Sequence, residues 1–213
     1  MENVKKYVNE LSRGEKIKHY FSYYGIPAAI ISIIIAVAVW MVTDIATKEK
    51  FDLVVMYSTS ANLSDAQSDA ISAALADYAV DVTGDGNVSV AVKLMNLSQL
   101  NPDEVEIYDV MMMYHTELMQ GDSTFYIMDK EQVQELAEEG ILRNIEDIAG
   151  DLTDDGYSIE LVRLTALREI EVFRNLPSDC VIAIKSMPEN TNEKIKPLYE
   201  NARIALVGII EQE

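Results

Sequence analysis

Residues 26–42 carry no charged side chain and only Ser32 as a polar one, after an opening stretch of mixed charge. Adding Tyr23, Tyr24, Gly25 and Thr43 gives about 20 residues, roughly 30 Å of helix, which matches the hydrocarbon thickness of a bilayer. Pro27 is expected in the first turn, where its missing N–H costs little, with Trp40 at one interface and Tyr20, Tyr23 and Tyr24 at the other. The pattern predicts a cytoplasmic tail over 1–22, a single transmembrane helix over 23–43, a linker over 44–50 and an extracytoplasmic domain over 51–213. Ala36-Val37-Ala38 resembles a cleavage site, but the apolar run continues through Trp40, Met41 and Val42, so the segment reads as an uncleaved signal anchor.

Beyond the linker the periodicity changes. Residues 51–57 form an apolar run of strand length, and the Ser/Thr/Asn-rich stretch 58–64 ends that strand and caps a helix. In that helix Ala66, Ala70, Ile71, Ala74, Leu75 and Tyr78 recur at helical spacing. Val88, Val90, Val92 and Leu94 alternate as a second strand. After Pro102, residues 104–119 read as a helix with Tyr108, Met111, Met112, His115, Leu118 and Met119 on its inner side. Residues 124–128 make a third strand, ended by Asp129, and the helix after it stops at Gly140. Past Gly150 the pattern predicts a strand over 158–164, a short helix over 165–174, a strand over 179–186 and a last helix over 192–210. This β-α-β-α-β-α order predicts an α/β fold with an open, mostly parallel sheet.

Composition changes the picture through charge. The chain has 213 residues and a net charge of −19. The first 23 residues hold Lys5, Lys6, Arg13, Lys16 and Lys18 against Glu2, Glu10 and Glu15, and the positive-inside rule places that end in the cytoplasm. The remainder carries 12 basic and 33 acidic side chains, which repels phosphate backbones and excludes nucleic acid as a partner. The partners expected instead are membrane lipid along the apolar helix and another membrane protein. Cys180 is the only cysteine, so no intrachain disulfide is possible. No nucleophile elbow, phosphate loop or zinc spacing occurs, and the expectation is a protein without enzymatic activity.

The segment 118–145, with Gly121-Asp122 ending a helix, Asp129 ending a strand and Ala137-Glu-Glu-Gly-Ile-Leu142 ending the next helix, resembles extracellular solute-binding proteins of the ABC-importer type. The strand, helix and strand over 52–94 match the opening of one lobe. The resemblance implies one lobe of a periplasmic-binding-protein fold, without room for the second, and a binding or accessory role beside a membrane transporter. It also implies a crevice at the strand ends, with Ser58, Thr59, Ser60 and Asp129 as ligand contacts. Capping and turn formation are the other reading of those four residues. A structural or scaffolding protein without a small ligand is the alternative function.

Asp81, Thr83, Asp85, Asn87 and Ser89 place oxygen-bearing side chains at alternate positions, with Gly86 at the sixth, as in the first part of a calcium loop. Val92 stands where a closing carboxylate is required, so a plain helix-to-strand turn competes with calcium-dependent surface recognition. No other cofactor is expected. Met111 and His115, four residues apart, could meet a soft metal, but methionines at this spacing also fill cores.

Overall fold

The computed structural model describes residues 13–47, 50–95 and 106–212. Expectations for the start of the tail, for Lys48 and Glu49, and for the helix start between Pro102 and Glu104 lie outside the described residues. The chain forms two compact units, Met1–Glu49 and Lys50–Glu213.

The first unit contains α1 (Arg13–Thr47), a helix of 35 residues with Pro27 in its interior rather than its first turn. The side chains described without interruption run from 26 to 41 and are exposed, Ile26 at 74% and Trp40 at 67%. Among the described residues no helix is long and apolar enough to cross a membrane. This corrects the transmembrane span expected over 23–43.

The second unit holds β1 (Leu53–Ser58), α2 (Asp65–Ala76), β2 (Val90–Leu94), α3 (Glu106–Gln120), β3 (Phe125–Asp129), α4 (Val133–Glu138), α5 (Glu146–Ala149), β4 (Ser158–Glu160), α6 (Thr165–Arg168), α7 (Glu171–Arg174), β5 (Cys180–Ile184) and α8 (Lys196–Ile210). The sheet order is β2-β1-β3-β5-β4. β1 pairs in parallel with β2 and β3, whereas β5 runs antiparallel to both β3 and β4. The sheet is therefore mixed, which corrects the mostly parallel expectation. Parallel pairing needs a crossover of a dozen or more residues, usually a helix. α2 and α3 supply such crossovers, whereas the connection from β3 to β5 holds β4, and β5 pairs antiparallel with both β3 and β4.

Both sheet faces are buried, so the strands read as unbroken apolar runs. Val55, Tyr57, Phe125, Ile127, Ile182 and Ile184 face α2 and α8, packing with Ile71, Leu75, Leu206 and Ile209. Met56, Tyr126, Met128, Val181 and Ala183 point the other way, against Leu118 of α3 and Val133 and Leu136 of α4. Ser64 caps α2 in a reciprocal box with Gln67, its Oγ accepting the Gln67 N–H while Gln67 Oε1 accepts the Ser64 N–H.

α3 corrects one expectation of facing. Leu118 is buried, but Tyr108, Met111, Met112, His115 and Met119 are exposed, Tyr108 at 70%. The helix seats through Leu118, the half-buried Tyr114 and Glu117, whose carboxylate is held by Lys93 Nζ at 2.9 Å and by the Ser123 hydroxyl at 2.6 Å. That polar seat rotates the methionines outward.

Two buried polar side chains tie the sheet's opposite edge together. Asp52 is fully buried: its Oδ1 accepts the N–H groups of Val82 and Thr83, and its Oδ2 accepts the N–H and hydroxyl of Ser89. Asn201 of α8 is equally buried, donating from Nδ2 to the carbonyls of Asp52 and Val80 and accepting the Val80 N–H at Oδ1.

Candidate functional site

The order β2-β1-β3 fixes where loops diverge. From β1 the chain crosses through α2 on one face to β2, then returns through α3 on the opposite face to β3, on the other side of β1. At such a switch point the loops leaving two adjacent parallel strands part, and a crevice opens at their carboxyl ends. β1 ends at Ser58 and β3 at Asp129, so the four residues expected from sequence do meet at one edge of the sheet.

They do not play equal parts. Ser58 is buried and locked to Gln132: its hydroxyl donates to Oε1 at 3.0 Å, and its carbonyl accepts from Nε2 at 2.9 Å. Thr59 is buried too; its Oγ1 lies 2.6 Å from the Tyr57 hydroxyl and accepts the Ala61 N–H at 3.1 Å. These two build the turn. Ser60 is exposed, and its N–H donates to Asp129 Oδ2 at 2.7 Å, which joins the Ser58–Gln132 bonds in bridging the ends of β1 and β3. The other oxygen of Asp129, Oδ1, is buried and has no hydrogen-bond partner.

Three residues that sequence reasoning did not assign to the site complete it. Gln132, in the turn after β3, also accepts from the Tyr114 hydroxyl at 2.9 Å and so joins α3 to the crevice. Asp179 and Cys180 arrive because β5 is antiparallel: Cys180 stands opposite Asp129 in the register, and the Lys130 N–H donates to the Asp179 carbonyl. One carboxylate oxygen each from Asp129 and Asp179 and the Cys180 sulfur lie within 4.8 Å of one another. A parallel β5 would have carried Cys180 to the far edge, which is why spacing alone could not find the cluster.

The electrostatics of this corner are unusual for a capped strand end. Burial, followed by the charges of Asp179 and Glu131, pushes the Asp129 carboxyl above the usual carboxylate range, against the opposing pull of the Ser60 bonds. Burial and the Asp129 and Asp179 charges push the Cys180 thiol up to about 12. Tyr57 is likewise raised to about 12, by burial first and by its Cys180 and Asp129 neighbours, against the hydrogen bond with Thr59. Lys130, the nearest base in sequence, is paired with Glu160 instead.

Two hollows flank the turn after Asp129. One of about 420 Å³ is lined by Lys130, Val133, Ala137, Asp155 and Tyr157, and one of about 260 Å³ by Tyr114, His115, Gln132, Leu136 and Glu139. The first has the volume of a small-solute pocket.

No protein-family model matches the chain, and no curated protein matches it. Among solved structures, part of the chain is similar to the extracellular solute-binding protein family 1 from Alicyclobacillus acidocaldarius subsp. acidocaldarius DSM 446, at 16% identity and a TM-score of 0.29. The match covers 53% of this chain and 29% of that one. The likeness is weak, and at this score it decides neither fold nor function.

The 81–89 loop is organised by its own backbone. Asp81 Oδ1 accepts the Gly84 N–H at 2.6 Å and its Oδ2 the Gly86 N–H at 2.8 Å, while Asp85 Oδ1 accepts the Asn87 N–H at 2.9 Å. Gly84 and Gly86 adopt φ of 75° and 90°, the left-handed region that glycine enters without a Cβ penalty. The backbone bonds of Gly86 and Gly84 hold the Asp81 carboxyl below its ordinary value. Thr83 keeps its hydroxyl 3.2 Å from Asp81, but Ser89 turns away to Asp52. Ser89 thus belongs to the Asp52 network, while Asp81 and Asp85 accept backbone N–H groups within the loop.

Proposed function

We propose that the 50–213 unit is a binding protein whose small polar ligand seats at the carboxyl ends of β1 and β3, contacting Ser60 and Asp129. The observation that carries this reading is the topological switch at the carboxyl ends of β1 and β3, where a buried Asp129 oxygen is left without a partner. Buried polar atoms are paired in the great majority of cases, and exceptions concentrate where a ligand or ion completes the set. Ser58 and Thr59 act as the rigid floor of the site. A single lobe leaves its ligand open on one side, so the reading is of an accessory protein that presents the ligand to a protein partner.

A second reading draws on α3. Tyr108, Met111, Met112, Met113 and Met119 are all exposed, and adaptable thioethers suit a protein-contact surface. In that reading the protein is a scaffolding component without a small ligand.

Thermal denaturation of the full chain, in mild detergent to keep the apolar surface of α1 from self-associating, separates the two. A panel of amino acids, polyamines and sugars is expected to include a stabilising member. A ligand at 100 times its Kd stabilises by about 2.7 kcal/mol, or roughly 5–10 °C for a unit of this size. Asp129→Asn keeps an acceptor for the Ser60 N–H and removes the repulsion with Asp179, so its unliganded midpoint is expected at or above that of the natural chain at neutral pH. Its ligand response is expected to disappear. A panel without effect, or a shift that survives Asp129→Asn, contradicts the crevice reading.

A further inference from the structure

We propose that Asp129, Asp179 and Cys180 bind a single divalent transition-metal ion of the zinc class. The inference rests on the crevice of the proposed function only in sharing Asp129 with it. The three ligand atoms come from two chain segments, the end of β3 and the start of β5, which the sheet register holds side by side.

Clustering of acids alone would mean little, because exposed carboxylates gather on any acidic surface. Two further observations point to a missing ligand. Cys180 is completely buried, without a hydrogen bond, and its sulfur is directed toward both carboxylates. Asp129 Oδ1 is also shielded from solvent and unpaired, although Oδ2 of the same group is satisfied by Ser60. Cys180 belongs to the apolar core on one side, and its sulfur meets the two carboxylates on the other. An ion at this corner would take the Cys180 sulfur and one oxygen of each carboxylate.

The donor set selects the ion. One sulfur and two carboxylate oxygens form a borderline set that suits zinc or cobalt(II) and disfavours calcium and magnesium, which take oxygen ligands. Bond lengths near 2.0–2.3 Å place tetrahedral ligands about 3.5 Å apart, so a spread of at most 4.8 Å closes by roughly 1 Å. Asp179 is exposed and free to make that movement, while Asp129 and Cys180 are fixed by strand pairing. Binding forms the metal–sulfur bond and releases the thiol proton to solvent. The three protein ligands leave a fourth position open to water or to a ligand in the crevice.

The full chain, stripped with a chelator, is titrated with cobalt(II) and read by absorption. Because Cys180 is the only cysteine, a thiolate-to-cobalt charge-transfer band reports on this site alone. The expected result is a band that saturates at one equivalent, is lost in Cys180→Ser, and needs at least tenfold more cobalt in Asp179→Asn. Asp179 is exposed, so that variant remains informative if Cys180→Ser fails to fold by circular dichroism. Absence of the band in the natural chain, or an unchanged titration in Asp179→Asn, overturns the proposal. A solute shift lost in Asp129→Asn, together with no cobalt band, overturns the ion and leaves the crevice; a band without any solute shift does the reverse.

Discussion

Replacing Asp52 with alanine is expected to destabilise the 50–213 unit by roughly 3 kcal/mol, the largest effect of any substitution outside the apolar core. The carboxylate gathers the N–H groups of Val82, Thr83 and Ser89 and the Ser89 hydroxyl; truncation strands the three N–H groups, while the hydroxyl keeps the Lys50 carbonyl at 3.2 Å. Hydrogen bonds to a charged acceptor contribute more than neutral ones, but residues 82, 83 and 89 are only half-buried, so water recovers part of the loss. The midpoint of thermal unfolding should fall by about 6–12 °C. Burial raises the Asp52 carboxyl, yet the bonds from Ser89, Thr83 and Val82 outweigh it and leave the group below its ordinary value. A folded-state pKa lower than the unfolded one contributes stability that is complete above the unfolded value, about 3.9, and fades as pH falls through the folded value. The gap between the natural chain and Asp52→Asn, whose amide does not titrate, is therefore expected to be full at neutral pH and to shrink only below about pH 4. A gap that stays constant across that range would contradict this role for the carboxylate.

Asn201→Ala is expected to cost nearly as much, roughly 2–3 kcal/mol, because three backbone groups lose their partner at once. The Asn201 amide satisfies the carbonyls of Asp52 and Val80 and the Val80 N–H, and it alone in α8 bonds both to the start of β1 and to the segment after α2. Asn201→Asp should be no milder: its carboxylate accepts from Val80 but has no donor for the two carbonyls, and it adds charge beside Asp52. Since Asp52 and Asn201 anchor the same 80–83 segment, the double alanine variant is expected to fall short of additivity by on the order of 1 kcal/mol. Denaturant unfolding of the four chains measures this, and strict additivity would mean that the two anchors act independently.

Neither anchor was visible in the sequence. Asp52 sits inside an apolar run and carries no local signal; its partners lie 30 and more residues away. By contrast, β1, α2, β3, β5 and α8 were legible because their apolar positions follow the period of a buried strand or an amphipathic helix, with boundaries displaced by a few residues. α3 misled because methionine is apolar on any scale yet tolerates exposure, and Glu117, not the methionines, decides which side faces the sheet. β4 is shorter than expected, since residues 161–163 turn into a 3-10 helix.

The candidate site divides in the same way. Ser58, Thr59, Ser60 and Asp129 could be named because strand ends and their caps announce themselves, although two of the four prove to be turn structure. Asp179 and Cys180 could not, because their place beside Asp129 depends on β5 running antiparallel to β3, which no local motif announces. The apolar segment near the N-terminus is helical as its composition demands, but among the described residues no helix is long and apolar enough to cross a membrane.

The central claim, that ligand seats at the carboxyl ends of β1 and β3, is tested most directly by the amide spectrum of the isotope-labelled full chain with and without the solute panel. The expected result is chemical-shift change concentrated at residues 57–61, 129–132 and 179–180. No change anywhere, or change confined to α3 or to the 81–89 loop, would contradict it.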